Sequence, residues 1–300
     1  MNKKILVVGG TGFIGYHLIK FLKNKNFAIT SVSTNKPKKI RKLNGVNYLH
    51  FDISNYKKFK ILDEKFDYVV NFGGYVDHSN KKLTYKSHFI GCKNLAKFFE
   101  KKKIISFIQI GSSLEYGKLK SPQSEKKGFK PNSIYAKSKL LATQLLLRKY
   151  KQKKLPVVIL RGYQLYGPKQ DDNRLISTVI INCIKNKEFN CSSGEQFRDF
   201  LHVDDFINAI YKSLDNKKAI GKIINIGYGK SIKVKKVILI INKFLKKGFP
   251  KFNKIELRKD EMMILYPSIK RASKILNWKP KINFVNGLKN TILDYKKTFK

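Results

Sequence analysis

The chain is short of cysteine, tryptophan and acidic residues, and it has no long hydrophobic run. Its three cysteines, Cys92, Cys183 and Cys191, form no Cys-x-x-Cys pair. That excludes close-spaced redox and metal motifs, and no metal site is read from the sequence; a sparse, odd set fits a reducing cytoplasm. The apolar run behind the first lysines stops at Val8 against glycines, too short for the core of a signal peptide. Val237–Ile241 falls far short of the ~20 residues that cross a bilayer. A cytoplasmic protein without a membrane role is expected.

Acidic residues are outnumbered 64 to 20, for a formal charge of +44. Such a balance ordinarily points to nucleic acid or an anionic surface. Here nearly all the cations are lysine, arginine and alanine are scarce, and Asn, Ile, Phe and Tyr abound, which is the bias of an AT-rich coding sequence. The lysines are spread along the whole chain and form no block. The charge is therefore read as incidental, with no nucleic-acid partner, although a positive field would draw in an anionic substrate. With 42% hydrophobic residues the chain can bury a core.

What the chain does have opens it. Ile5–Val8 is a fully apolar run, as a buried parallel strand should be. From Phe13 apolar residues fall at 13, 14, 17, 18, 21 and 22, one face of a helix ending near Asn24. Between them lies Gly9-Gly10-Thr11-Gly12-Phe13-Ile14-Gly15. Glycines there permit a tight turn and let a pyrophosphate reach the amides of the helix N-terminus. Further strands are expected at Ala28–Ser33, Tyr48–Asp52, Tyr68–Phe72, Ile104–Ser112 and Val157–Arg161, with helices at Cys92–Lys101 and Tyr135–Tyr150. The alternation implies an α/β fold with a Rossmann-type doubly wound parallel sheet. Residues 1–163 are read as the dinucleotide domain, also receiving part of 203–230. Residues 164–300 are read as mainly a smaller, discontinuous substrate lobe.

Tyr135-Ala-Lys-Ser-Lys139 starts a helix, and a spacing of four places Tyr135 and Lys139 on one face. A phenol ionises near pH ~10, and a neighbouring ammonium is expected to lower that value, so Tyr135 can act as general acid or base. Gly111-Ser112-Ser113-Leu114-Glu115-Tyr116-Gly117 follows an apolar strand and puts hydroxyls at the carboxyl end of the sheet. The glycine turn, the strand-end serine and Tyr-x-x-x-Lys occur in the order of the extended short-chain dehydrogenase/reductase family, which the chain resembles along its full length. Arg161–Pro168, Gln196–Asp205 and Leu276-Asn277-Trp278-Lys279-Pro280 resemble later motifs of its sugar-nucleotide-modifying members. The resemblance implies that Ser112 hydrogen-bonds the reacting oxygen, that Tyr135 transfers the proton and that Lys139 also holds the nicotinamide ribose. It further implies that Arg198 and Arg258 contact the nucleotide diphosphate of the substrate, with Ser113, Gln164 and Arg174 as further substrate contacts. Relatives often dimerise through a helix pair that would include Tyr135–Tyr150, so a homodimer is an expectation.

Two positions bear on the reaction. Dehydratases of the family carry Asp-Glu after the catalytic hydroxyl residue, and epimerase-reductases a Cys at the position of Leu114. Leucine moves no proton, and Glu115 is expected on the opposite face of the strand. At the end of the second strand, where an acid would accept the ribose hydroxyls of NAD, the chain reads Ser33-Thr34-Asn35-Lys36, with Lys38, Lys39 and Arg41 beyond. That favours NADP, with NAD as the alternative. Asp52 and Ile53 resemble the adenine contacts, and Phe72-Gly73-Gly74 the strand end beside the cofactor. The C-terminal half is similar to CDP-abequose synthase and related 4-ketoreductases. A 4-ketoreductase of a nucleotide-diphospho-4-keto-6-deoxyhexose is expected. An NAD-dependent nucleotide-sugar 4-epimerase and a non-catalytic NADP(H)-sensing protein are the alternatives.

Overall fold

The computed structural model describes residues 2–62, 65–125, 130–257 and 261–299. The opening apolar run forms β1 (Lys4–Val8), and α1 (Phe13–Lys23) follows the glycine turn with its apolar stripe buried. The alternation continues through β2 (Ala28–Ser33), β3 (Asn47–His50), β4 (Tyr68–Asn71), α2 (Lys81–Tyr85) and α3 (Gly91–Phe99). It closes with β5 (Ser106–Ser112), α4 (Ile134–Lys153) and β6 (Val157–Gly162). β3 ends before the expected Asp52, because that carboxylate accepts from the Ser54 amide (2.8 Å) and turns the chain.

Beyond β6 the elements shorten. They are β7 (Gln164–Tyr166), α5 (Leu175–Ile184), β8 (Glu188–Asn190), β9 (Phe197–Arg198), β10 (Phe200–His202) and α6 (Val203–Leu214). Then come β11 (Ile223–Ile226), β12 (Ile232–Lys233), α7 (Val234–Leu245), β13 (Phe249–Lys251), β14 (Ile264–Leu265), α8 (Lys270–Leu276) and α9 (Phe284–Thr298).

Seven strands pair in parallel in the order β11-β6-β5-β4-β1-β2-β3. One sheet face packs on α1, α6 and Trp278, the other on α3 and α4. A third core, made by α5, α7 and α9, belongs to the smaller lobe. Buried on both faces, the central strands read as unbroken apolar runs, as parallel strands must. The strand order reverses between β1 and β4, where Val8 lies opposite Asn71. The connections leaving these two strands therefore part and open a crevice at the carboxyl edge. The Leu276–Pro280 motif fastens the tail to α6: Trp278 is buried and its Nε1 donates to the Asp205 carbonyl (3.1 Å). The Asp205 carboxylate accepts from the amides of Lys281 and Ile282.

Candidate active site

The glycine turn is built by steric necessity. Gly9 adopts φ +78°, a left-handed conformation that suits glycine, and its amide donates to the Val32 carbonyl (2.7 Å). A Cβ at Gly15 would collide with Gly9, so the helix could not approach the strand. Gly12 caps α1 without a side-chain hydrogen bond, and the first turn contains no acid. The amides at that N-terminus and its positive dipole end are left for an external anion. These features fit a dinucleotide pyrophosphate. Phe13 is buried and Ile14 packs partly against the same core, so both hold the helix and present backbone to the cradle.

At the neighbouring strand ends, Ser33 Oγ accepts from the Thr11 amide (3.4 Å) and leaves Thr34, Asn35 and Lys36 exposed around it. None of these four is acidic. Arg41 departs from expectation: it is buried and donates to the Lys169 carbonyl and the Asp171 carboxylate (2.9 Å), so it faces the lobe and not a 2′-phosphate. Ile53 is also buried, packed against Gly73 and Gly91, where a Cβ would meet it. Gly73 is fixed by its amide donating to Asn71 Oδ1 (2.8 Å), and Phe72 packs partly on the core.

Ser112 ends β5 and Tyr135 begins α4, which runs beneath the same strand. The serine hydroxyl lies near enough to the phenol to favour its ionised form. Burial pushes the Tyr135 phenol above its ordinary value, against the lowering effects of Ser112 and the Arg174 charge. Lys139 is buried, its Nζ lies 6.0 Å from the Tyr135 ring centroid, and it donates to the Ile110 carbonyl (2.8 Å). The expected lowering of the phenol by Lys139 is thus not what this arrangement shows, because the ammonium is engaged by a carbonyl and burial prevails. Burial also holds Lys139 below its usual value, opposed by Glu115 and Cys92.

Glu115 corrects the sequence reading. It lies not on the strand but on a 3₁₀ turn, Ser113–Tyr116, and is fully buried. Its carboxylate accepts from the Ser112 amide (2.8 Å), from Thr143 Oγ1 (2.8 Å) and from Arg161 (2.6 Å). Ser112 Oγ accepts in turn from the Leu114 amide (3.2 Å), closing a capping box. The serine therefore both caps the turn and meets Tyr135. A carboxylate held on three sides is scaffolding, and next to it Leu114 is 43% exposed with no group to move a proton.

Two histidines surround the tyrosine ring. His78 stacks on it (centroids 4.0 Å, interplanar 17°), and His88 meets it edge-on (4.9 Å, 80°). His78 lies on the exposed segment after β4, and His88 on a π-turn, Lys86–Ile90. Burial, reinforced by Arg174 and Lys139, holds His78 below its ordinary value; burial and then Lys139 drive His88 down to about 2. Both rings are neutral at neutral pH.

In the lobe, Arg198 is buried, its NH1 donates to the Phe197 carbonyl, and it pairs with Glu261. Its neighbours Asp199 and Asp204 are engaged elsewhere. Asp199 instead receives the amides of Tyr228 and Gly229, and Asp204 stands between His17 and His202. Arg174 is exposed just before α5, and its charge bears on the ionisation of Tyr135 and His78. Gln164 is exposed on β7, and Ser113 is buried beside Ser112. Arg258 lies outside the described residues.

A sequence profile described as the NAD dependent epimerase/dehydratase family matches residues 5–227. The chain belongs to this family. It is 30% identical over 255 residues to dTDP-D-glucose 4,6-dehydratase of Dictyostelium discoideum, a match covering 75% of this chain and 58% of that protein's length. It is 26% identical to UDP-glucuronate 4-epimerase of Thermodesulfobacterium geofontis, over 96% of this chain and 94% of the relative. Among solved structures, UDP-glucuronic acid 4-epimerase from Bacillus cereus in complex with UDP-glucuronic acid and NAD superposes with a TM-score of 0.88. That pair is 25% identical, covering 98% of this chain and 99% of the other. The chain is thus an NAD(P)-type epimerase/dehydratase family enzyme of the nucleotide-sugar-modifying, extended short-chain dehydrogenase/reductase kind.

Sequence reasoning passed over His78 and His88 as members of this site. A signal was present: two of only five histidines in the chain, His78 and His88, follow the paired glycines beyond β4.

Proposed function

We propose that this family member is an NADPH-dependent 4-ketoreductase of a nucleotide-diphospho-4-keto-6-deoxyhexose, working in deoxysugar formation for surface polysaccharides. The observation that carries this reading is Ser112 at the end of β5 acting on the Tyr135 phenol, beside a leucine and a locked carboxylate. The site holds one phenol ready to give up a proton, while Leu114 and Glu115 offer no second group at the positions used to pull one from carbon. When bound, the dinucleotide supplies the hydride that adds to C4 of the sugar. Ser112 donates a hydrogen bond to the developing oxyanion, and Tyr135 transfers its proton to that oxygen. Lys139, its Nζ 6.0 Å from the ring centroid, is the proposed ligand of the nicotinamide ribose. The raised phenol value favours a protonated donor at the start of reduction.

The β2 end supports NADPH: Ser33, Thr34, Asn35 and Lys36 bring hydroxyls, an amide and one cation, and no carboxylate to repel a 2′-phosphate. Arg198 and Arg174 are the proposed anchors of the substrate diphosphate, with Gln164 and Ser113 as nearby polar contacts. Three buried free thiols suit the cytoplasm, and among the described residues no helix is long and apolar enough to cross a membrane.

Likeness to UDP-glucuronate 4-epimerases supports a second reading, an NAD-dependent 4-epimerase. Mass spectrometry of a panel of nucleotide 4-keto-6-deoxy sugars, followed with NADPH absorbance, separates the two. Reduction yields a product heavier by two hydrogens with matching NADPH loss. Conversion of a 4-hydroxy sugar at constant mass without net cofactor consumption would establish the epimerase instead.

A further inference from the structure

We propose that His88 is a positioning residue for Tyr135, and that Gly74 and the π-turn Lys86–Ile90 exist to seat its ring against the phenol. A π-turn places one residue too many in a helix and weakens its hydrogen-bond ladder, so it persists where a side chain must be re-aimed. Here it interrupts the helical stretch from Lys81 to Phe99 and carries His88 at its centre. The His88 ring is 6% exposed and sits edge-on to Tyr135.

Three observations set its chemistry. Its Nε2 lies 3.2 Å from the Tyr75 carbonyl, which can only accept, so Nε2 carries the hydrogen and ties the ring to the segment leaving β4. Its Nδ1 is buried without a hydrogen-bond partner, a costly state for an ordinary packing residue, for which an apolar ring would serve better. A Cβ at Gly74 would overlap the Cε1–Nδ1 edge of the ring, so the glycine and the histidine are complementary in shape.

The groups facing Tyr135 come from every neighbouring element. They are His78 from the segment after β4, His88 from the π-turn, Ser112 from β5, the Glu115 charge from the 3₁₀ turn after it, the Arg174 charge from the lobe, and Lys139 from α4. Of the two histidines, His78 is exposed, whereas His88 is walled in. His88 thus supplies the fixed, water-excluding side of the phenol pocket. By keeping water from the ring it sustains the burial that holds the phenol protonated.

The test reads Tyr135 directly. Ultraviolet titration of the phenolate signal that Tyr135→Phe removes reports this tyrosine without any substrate, so it stands even if the ketoreductase assignment fails. His88→Ala should move that titration down toward the ordinary tyrosine value and lower kcat about tenfold, with the Kd for NADPH changed less than twofold. His88→Phe keeps the wall and should retain the native titration. Gly74→Ala should lower kcat at least as much, and Gly74→Ala/His88→Ala should recover part of that loss, because the new methyl enters the space the ring has left. If His88→Ala proves too unstable, the Gly74→Ala and His88→Phe arms decide. An unmoved Tyr135 titration in His88→Ala, a shifted one in His88→Phe, or strictly additive losses in the double variant would overturn the proposal.

Discussion

The two halves of the site prepare for anions in opposite ways. On the nucleotide side the glycine turn leads into a helix N-terminus capped by no side chain, and α1 brings no acid near it. On the substrate side the buried cation is already matched: Arg198 is held by Glu261. The first arrangement is preorganised by covalent geometry, because no side chain can fill a space shaped by Gly9 and Gly15. On the proposed reading the second exchanges partners, a substrate diphosphate taking the place of the resident carboxylate. Charge-assisted pairs are strong, so the exchange costs less than exposing a bare guanidinium to a dry pocket.

The sharpest break between scaffold and chemistry is Tyr135→Phe. It keeps the ring among His78 and His88 and removes only the hydroxyl, so turnover should fall about 100- to 10,000-fold while NADPH binding by fluorescence titration is nearly unchanged. Loss of cofactor binding instead would mean that the phenol belongs to the nucleotide half.

Glu115→Gln probes the scaffold beneath both halves. The fully buried Arg161 would face an amide in place of its carboxylate. Breaking such a pair costs about 3–5 kcal/mol, which chemical denaturation should register as a large loss of stability. An unaffected midpoint with lost turnover would make Glu115 a catalytic group after all.

Arg198→Ala should raise the KM for nucleotide sugar by an amount equivalent to about 1.5–3 kcal/mol, the worth of a charged hydrogen bond. Glu261→Gln, which releases the arginine, should shift KM the other way. If both variants raise KM equally, the pair is a structural tie and no exchange occurs. At the nucleotide end, Ser33→Asp should turn preference toward NADH, since a carboxylate repels a 2′-phosphate and accepts ribose hydroxyls.

The smallest expected effect is on pH stability. The His88 ring is held far below the unfolded value of 6.5 by burial and by Lys139. Its contribution is therefore complete above that value and is lost as pH falls toward the folded value. Below the unfolded value the native chain should lose unfolding free energy more steeply than His88→Phe. Parallel curves would show that the ring takes up its proton in the folded chain as readily as in the unfolded one.

The sheet and the helices that cover it were legible because unbroken apolar runs and one-sided stripes have a single cheap burial. β2 and α1 fall where periodicity places them. The lobe was less legible: β9 and β14 are two residues each, too short to carry a period, and they are defined by pairing with each other. In the site, the positions of Ser112, Tyr135 and Lys139 followed from strand end and helix spacing. The role of Glu115 did not, because a 3₁₀ turn reverses the strand's alternation after Ser112 and sends the carboxylate inward to Arg161. Arg41 and Arg198 show the same limit. Scarcity marks an arginine as important, but only tertiary partners show whether it meets Asp171, Glu261 or a ligand.

The central claim, one proton from Tyr135 to oxygen and none taken from carbon, is tested most directly by running the reaction with NADPH in D₂O. Simple reduction places solvent deuterium on the new hydroxyl alone, where it washes out, so the recovered sugar should carry no stable label at carbon. Enzyme-dependent deuterium at C3 or C5, above the background enolisation of the keto sugar, would contradict the account and direct attention to His78 as the base.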